Sequence, residues 1–142
     1  MILSMKELSE ITTPALAYLG DSVLEVCVRT YLVSELGLST SAHLNRHALK
    51  FVCAAAQSQA MDLLEPILTE EEAAVFKRGR NMGHGNVPKN ASVKDYRRAT
   101  GMEVLFGYLS LTGQDERLHT LFRIGYSLDA AVEPASLEFN PQ

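Results

Sequence analysis

The sequence predicts an all-α fold, and three features carry that expectation. No segment alternates apolar and polar residues in the manner of a half-buried strand. Helix-start signals stand immediately before long apolar runs, at Thr13-Pro14, at Thr69 with Glu72 three residues later, and at Ser92. The stretch from Ala54 to Ala60 is rich in the strongest helix former.

The elements follow in order. Thr13 as N-cap and Pro14 in the first turn open a helix whose apolar residues run from Ala15 to Leu36, where Gly37 stops it. Leu16, Leu19, Val23, Leu24, Val26, Cys27, Val28, Tyr31 and Leu32 cover more than one stripe, so this helix should be central or shared with a second copy. A second helix starts between Ser39 and Ser41 and runs unbroken through the alanines to just before Pro66. Thr69 caps a short third helix to about Arg78, with Glu70, Glu71 and Glu72 at its positive end. Gly79 to Asn90 reads as loop, Val93 to Leu111 as a helix capped by Ser92, and Asp115 to about Ala131 as the last helix. Residues 1–132 form one domain and 133–142 a frayed tail.

Composition narrows the class. The 142 residues are 46% apolar and 21% charged, which suits one globular domain with an ordinary core. The first ten residues lack the basic start of a secretory leader, and their apolar run is too short for a membrane span, so the expected place is the cytoplasm with no membrane contact. Cys27 and Cys53 belong to no CxxC pair and are expected to be reduced core residues.

The net charge of −4 argues against nucleic acid until its distribution is considered. Lys77, Arg78, Arg80, Lys89, Lys94, Arg97 and Arg98 are seven of the thirteen basic residues, and Asp95 is the only acid among them. That segment therefore carries +6 on a body of −10. It is either a phosphate-binding surface or a solvated charged loop.

Two carboxylates stand in apolar surroundings. Asp21 lies mid-helix in Ala-Leu-Ala-Tyr-Leu-Gly-Asp-Ser-Val-Leu, and Glu103 is the only charged residue between Arg98 and Asp115. A buried ionised carboxylate must be paired, ligate a metal or take up a proton. Ala17 and Gly20 near Asp21, with Gly101 and Gly107 near Glu103, would leave room for a hydrated cation, and magnesium suits oxygen ligands that are few and partly replaced by water and phosphate. Ordinary ion pairs with Arg46 or Arg97 are the alternative. Glu25 either extends the acidic face or pairs with Arg29, four residues on, and the pair is favoured. His43 and His47 share a helix face, but Arg46 beside them would repel a cation, so a surface or capping role is expected. Gly83-His84-Gly85-Asn86-Val87-Pro88-Lys89 lacks the Gly-Lys-Ser/Thr ending of a nucleotide-phosphate loop.

These residues resemble a known family. Leu-Ala-Tyr-Leu-Gly-Asp-Ser-Val-Leu-Glu at 16–25 is similar to the signature helix of ribonuclease III, and Thr-Gly-Met-Glu-Val-Leu-Phe-Gly-Tyr-Leu at 100–109 to its second catalytic helix. Lys-Arg-Gly-Arg-Asn at 77–81, Pro-Lys-Asn at 88–90 and Tyr-Arg at 96–97 resemble the Mini-III branch, the compact bacterial form without a double-stranded-RNA-binding domain. The likeness spans all but about the last ten residues. It implies the helical ribonuclease III endonuclease fold, a homodimer facing double-stranded RNA, and a magnesium-dependent endoribonuclease in which manganese can substitute. Asp21 and Glu103 match the family's metal-binding and catalytic carboxylates. Lys77, Arg78, Arg80, Asn81, Lys89, Asn90, Lys94 and Arg97 would contact RNA. The implied substrate is precursor 23S ribosomal RNA, with a ribosomal protein as accessory partner. The larger enzymes carry a further glutamate where this chain has Ala17 and an aspartate where it has Thr100. A second fully ligated metal is therefore in question, and a non-catalytic RNA-binding assembly factor of the same fold is the competing reading.

Overall fold

The computed structural model describes residues 3–83 and 86–129. Seven α-helices, α1 (Met5–Ser9), α2 (Thr13–Ser34), α3 (Ser41–Val52), α4 (Ala54–Leu64), α5 (Glu70–Arg80), α6 (Val93–Leu111) and α7 (Asp115–Gly125), with a single 3₁₀ turn at Glu65–Ile67, make up the regular structure of the described residues. No strand occurs among them. The last helix, expected to run to about Ala131, ends at Gly125: Tyr126 is its C-cap, and Ser127 takes a left-handed conformation (φ 55°) that no helix continues through. The expected tail at 133–142 lies outside the described residues.

The centre of the molecule is α6. Met102, Val104, Leu105, Phe106 and Leu109 are fully buried, and α2, α4 and α5 all pack on this one helix. The sequence pointed to α2 as either the central helix or one shared with a second copy, and it is not the central one. Instead α2 buries one face, through Leu16, Leu24, Val28 and Leu32, and exposes Tyr18, Val26 and Val33 on another. Apolar character all round is therefore not matched by burial all round within one copy.

Boundaries shift where local chemistry was ambiguous. The N-cap of α2 is Thr12, whose hydroxyl accepts from Ala15 N at 3.2 Å, so Thr13 and Pro14 fall in the first turn. The single helix expected from Ser39 to Pro66 is two: Cys53 takes an extended conformation (φ −71°, ψ 154°) and serves α3 as C-cap and α4 as N-cap. Neither glycine nor proline marks that break; it lets α3 pack on α2 while α4 turns onto α6 and α7. Cys53 is exposed as a result, contrary to expectation, and Cys27 is buried as expected. Gly79 does not end α5. A Cβ there would lie 2.8 Å from the Cα of Gly101, so the glycine is a contact point between α5 and α6 within a helix that continues to Arg80. Helix α1 escaped the sequence reading, although Ser4 and Glu7 form a full capping box. The spans of α5 at its start and of α6 throughout are those the capping residues predict.

One buried charge holds the bundle's far side. Glu72 caps its own helix and is nearly inaccessible, and Arg117 of α7 donates to it twice, from Nε at 2.9 Å and from a terminal nitrogen at 2.8 Å. The guanidinium lowers the Glu72 carboxyl below its ordinary 4.5. A depressed value contributes stability above pH 4.5 that is lost as pH falls through the folded-state value. Arg117→Ala is expected to destabilise the protein by about 1.5 kcal/mol at pH 7, below the range for fully buried pairs because Arg117 is itself partly exposed. Urea unfolding at pH 7 and pH 4 checks this, and the difference should shrink at the lower pH.

Candidate active site

The two carboxylates of the apolar helices meet at a close approach of α2 and α6. Gly20 and Gly107 make that approach possible. A Cβ on Gly20 would overlap the backbone carbonyl of Glu103, and one on Gly107 would overlap the carbonyl of Leu16. The glycines therefore do not leave room for a cation, as the sequence suggested. Their space is filled by the opposite helix backbone. Ala17 is likewise core, and the buried Thr100 hydroxyl donates to the Tyr96 carbonyl at 3.1 Å.

Each carboxylate has its own environment. Asp21 is exposed, not buried as its apolar neighbours implied, because it sits on the rim of α2. Glu103 is mostly enclosed and pushed up to about 7: burial is the main cause, and the negative charge of Asp21 adds to it. The Gln57 amide opposes the rise by donating to Glu103 Oε2 at 3.5 Å. No arginine or lysine pairs with either acid among the described residues, so the predicted alternative of ion pairs with Arg46 or Arg97 is not realised. Glu25 does pair with Arg29, at 3.2 Å, as expected.

No group of three or more His, Cys, Asp or Glu side chains suited to a metal exists among the described residues. Two facing carboxylates without a cationic partner do fit a hard, largely hydrated dication, which needs only one or two protein oxygens. His43 and His47 offer no alternative. His43 is exposed, while His47 is buried rather than superficial, with Nδ1 2.9 Å from the His43 carbonyl oxygen.

The basic segment folds partly into a cleft. Arg80, Asn81, Lys94, Arg97 and Arg98, with Glu65 opposite, line a space of about 320 Å³. Arg98 is spent structurally, reaching Asp62 at 2.8 Å and Glu65 at 3.2 Å. Arg80 donates to Asn81 Oδ1 at 3.2 Å and lies over Phe76. Lys94 and Arg97 are exposed on α6, and Arg97 precedes Glu103 by six residues, about 9 Å along the helix. Lys77, Lys89 and Asn90 are exposed outside the cleft, and Arg78 is tied to Thr13 Oγ1 at 2.8 Å.

The Ribonuclease III domain model matches residues 14–114, which contain both carboxylates, the cleft and the helices that bring them together. Mini-ribonuclease 3 of Clostridium tetani is 41% identical over 87% of this chain and 82% of its own length. Those of Enterococcus faecalis and Symbiobacterium thermophilum are 46% and 47% identical, each over at least 80% of this chain and 88% of its own length. The chain belongs to the ribonuclease III family, in its Mini-ribonuclease 3 branch. A crystal structure of a Fusobacterium nucleatum protein, 24% identical, superposes with a TM-score of 0.77 over 87% of this chain and 98% of its own, which shows a shared fold. Gln57 was not foreseen: it stands in the alanine-rich stretch beside Ser58 and Gln59, and only the packing of α4 on α6 distinguishes it.

Proposed function

We propose that this chain, an endoribonuclease by family, hydrolyses double-stranded RNA with a magnesium ion held by Asp21 and Glu103, and that it matures the ends of precursor 23S ribosomal RNA. The observation that carries the reading is the meeting of two carboxylates without cationic partners, Asp21 of α2 and Glu103 of α6, the second on the same helix as Lys94 and Arg97. Magnesium, when bound, supplies Lewis acidity toward a phosphodiester and makes water a competent nucleophile near neutral pH; manganese can take its place.

The chain's own groups then have distinct tasks. Asp21 presents its oxygens at the open rim, and Glu103 presents an anionic oxygen from the enclosed side once it has lost its proton. Lys94, Arg97 and Arg80 hold backbone phosphates, so the duplex is read through shape and charge more than base identity. In the overall reaction the oxygen of water becomes bonded to phosphorus, the bond from phosphorus to the 3′ oxygen breaks, and that oxygen takes up a proton. The products are a 5′-phosphate and a 3′-hydroxyl. No side-chain nucleophile is required.

A symmetric dimer is part of the proposal. Tyr18, Val26 and Val33, which are 84%, 64% and 57% exposed, share one face of α2, with Asp21 at its edge. A two-fold axis through that face would cover it and set two sites against the antiparallel strands of a duplex. No helix among the described residues is long and apolar enough to cross a membrane, and the cytoplasm, where ribosomal precursors are processed, is the compartment proposed.

The deciding experiment incubates purified protein with duplex RNA and Mg²⁺, with and without Asp21→Asn. Cleavage by the parent alone is expected. Cleavage by neither would leave an RNA-binding module, and cleavage by both would remove Asp21 from the chemistry. A separate prediction concerns the cleft: Arg97→Ala should reduce the salt dependence of RNA affinity, plotted logarithmically, by about one unit of slope. An unchanged slope would exclude Arg97 from phosphate contact.

A further inference from the structure

We propose that Gln57 is a positioning residue, which fixes Glu103 Oε2 against α6 so that the other carboxylate oxygen is left for the cation. The proposal rests on the reading of Asp21 and Glu103 as metal ligands.

Gln57 is 2% exposed, in the first turn of an alanine-rich helix where an apolar side chain would pack without desolvation cost. Its Nε2 lies 3.5 Å from Glu103 Oε2 and 3.5 Å from the carbonyl oxygen of Ala99. Ala99 is one turn before Glu103, so its carbonyl is also the one that accepts the Glu103 backbone N–H in a regular helix. The amide thus spans the backbone that carries Glu103 and the carboxylate at the end of the side chain. Two acceptors face the same nitrogen, which determines the orientation of the amide: turned over, Oε1 would oppose a carbonyl and a carboxylate.

The residue type matters as much as the position. Lysine or arginine would hold Glu103 by a full ion pair, cancel one of the two negative charges and repel a cation. Glutamate would place a third negative charge beside Asp21 and Glu103. An uncharged donor restrains the carboxylate and leaves the charge of the pair intact. Glu103 Oε1 has no protein hydrogen-bond partner among the described residues, so one oxygen remains for an external ligand. Both Gln57 contacts are long, and restraint of orientation rather than binding strength is the expected contribution.

The test uses RNA-free, full-length protein titrated with Mn²⁺ as a spectroscopically visible probe. Wild type is compared with Gln57→Leu, Gln57→Met and Asp21→Asn, with a thermal melt of each. The Gln57 variants should bind Mn²⁺ roughly tenfold more weakly, the effect typical of removing a group that orients a metal ligand. In cleavage assays kcat should fall in parallel while KM for duplex RNA holds. Wild-type Mn²⁺ affinity in either folded Gln57 variant would overturn the proposal; the flexible methionine is included because it tolerates the site if leucine does not. If Asp21→Asn abolishes Mn²⁺ binding and the Gln57 variants keep it, the positioning role alone fails. If Asp21→Asn also keeps it, the metal reading fails and the role of Gln57 falls with it.

Discussion

Asp21→Asn and Glu103→Gln are each expected to reduce RNA cleavage at least about a thousandfold, equivalent to about 4 kcal/mol of transition-state stabilisation, while Glu103→Gln melts higher than the parent. The two effects have one origin. Glu103 is enclosed beside Asp21 and has its carboxyl raised from 4.5 to about 7. Folding therefore favours its protonated form: the associated stability is fully present below pH 4.5 and is lost as pH rises through 7. Above that, the metal-free protein carries a charge the fold opposes. Replacing the carboxyl by an amide of the same shape removes the opposition, and the gain at pH 8 should be about 2 kcal/mol after allowance for partial exposure. At pH 4 the two proteins should melt alike. Thermal melts at both pH values in chelator check this, and added Mg²⁺ should narrow the gap at pH 8 by stabilising only the parent. A variant less stable than the parent at pH 8 would show that Glu103 is held by interactions other than those described. Loss of activity with a gain in stability would identify Glu103 as a residue retained for chemistry.

The helical fold and the two acids were legible in the sequence because each depends on local signals. Ser92 and Thr69 mark helix starts by hydrogen bonds within three residues, and both caps form as read. Asp21 and Glu103 stood out because an acid is unexpected in an apolar run. What the sequence did not disclose depends on which helix lies opposite. Burial of Asp21 was inferred from its neighbours along the chain, whereas the structure leaves it on a rim. The break at Cys53 has no local marker, and it is required by two packing partners that no periodicity reports. Arg98 and Arg97 are adjacent and chemically identical, yet one is committed to Asp62 and Glu65 and the other is free in the cleft. Gln57 is hidden for the same reason. Its meaning arises only across the interface between α4 and α6.

Gly20→Ala should destabilise the protein by about 3 kcal/mol, the upper part of the range for overpacking, because the added methyl would collide with backbone and not with a side chain that can rotate away. The colliding group is the carbonyl of Glu103 itself, so relief requires α2 and α6 to separate at the position where the two acids meet. Gly107→Ala forces the same separation from the other helix, against the carbonyl of Leu16. Two substitutions that strain one contact are not independent: once the helices have parted for the first methyl, the second finds part of its space already made. The double variant should therefore lose less stability than the two single losses combined, by about 1 kcal/mol or more. Urea unfolding of the four proteins provides the comparison. Mn²⁺ affinity should fall in every variant, since the carboxylates ride on the helices that move. Full additivity, with wild-type Mn²⁺ binding in the folded single variants, would mean that the glycines serve packing alone and that the approach of α2 to α6 does not set the geometry of Asp21 and Glu103.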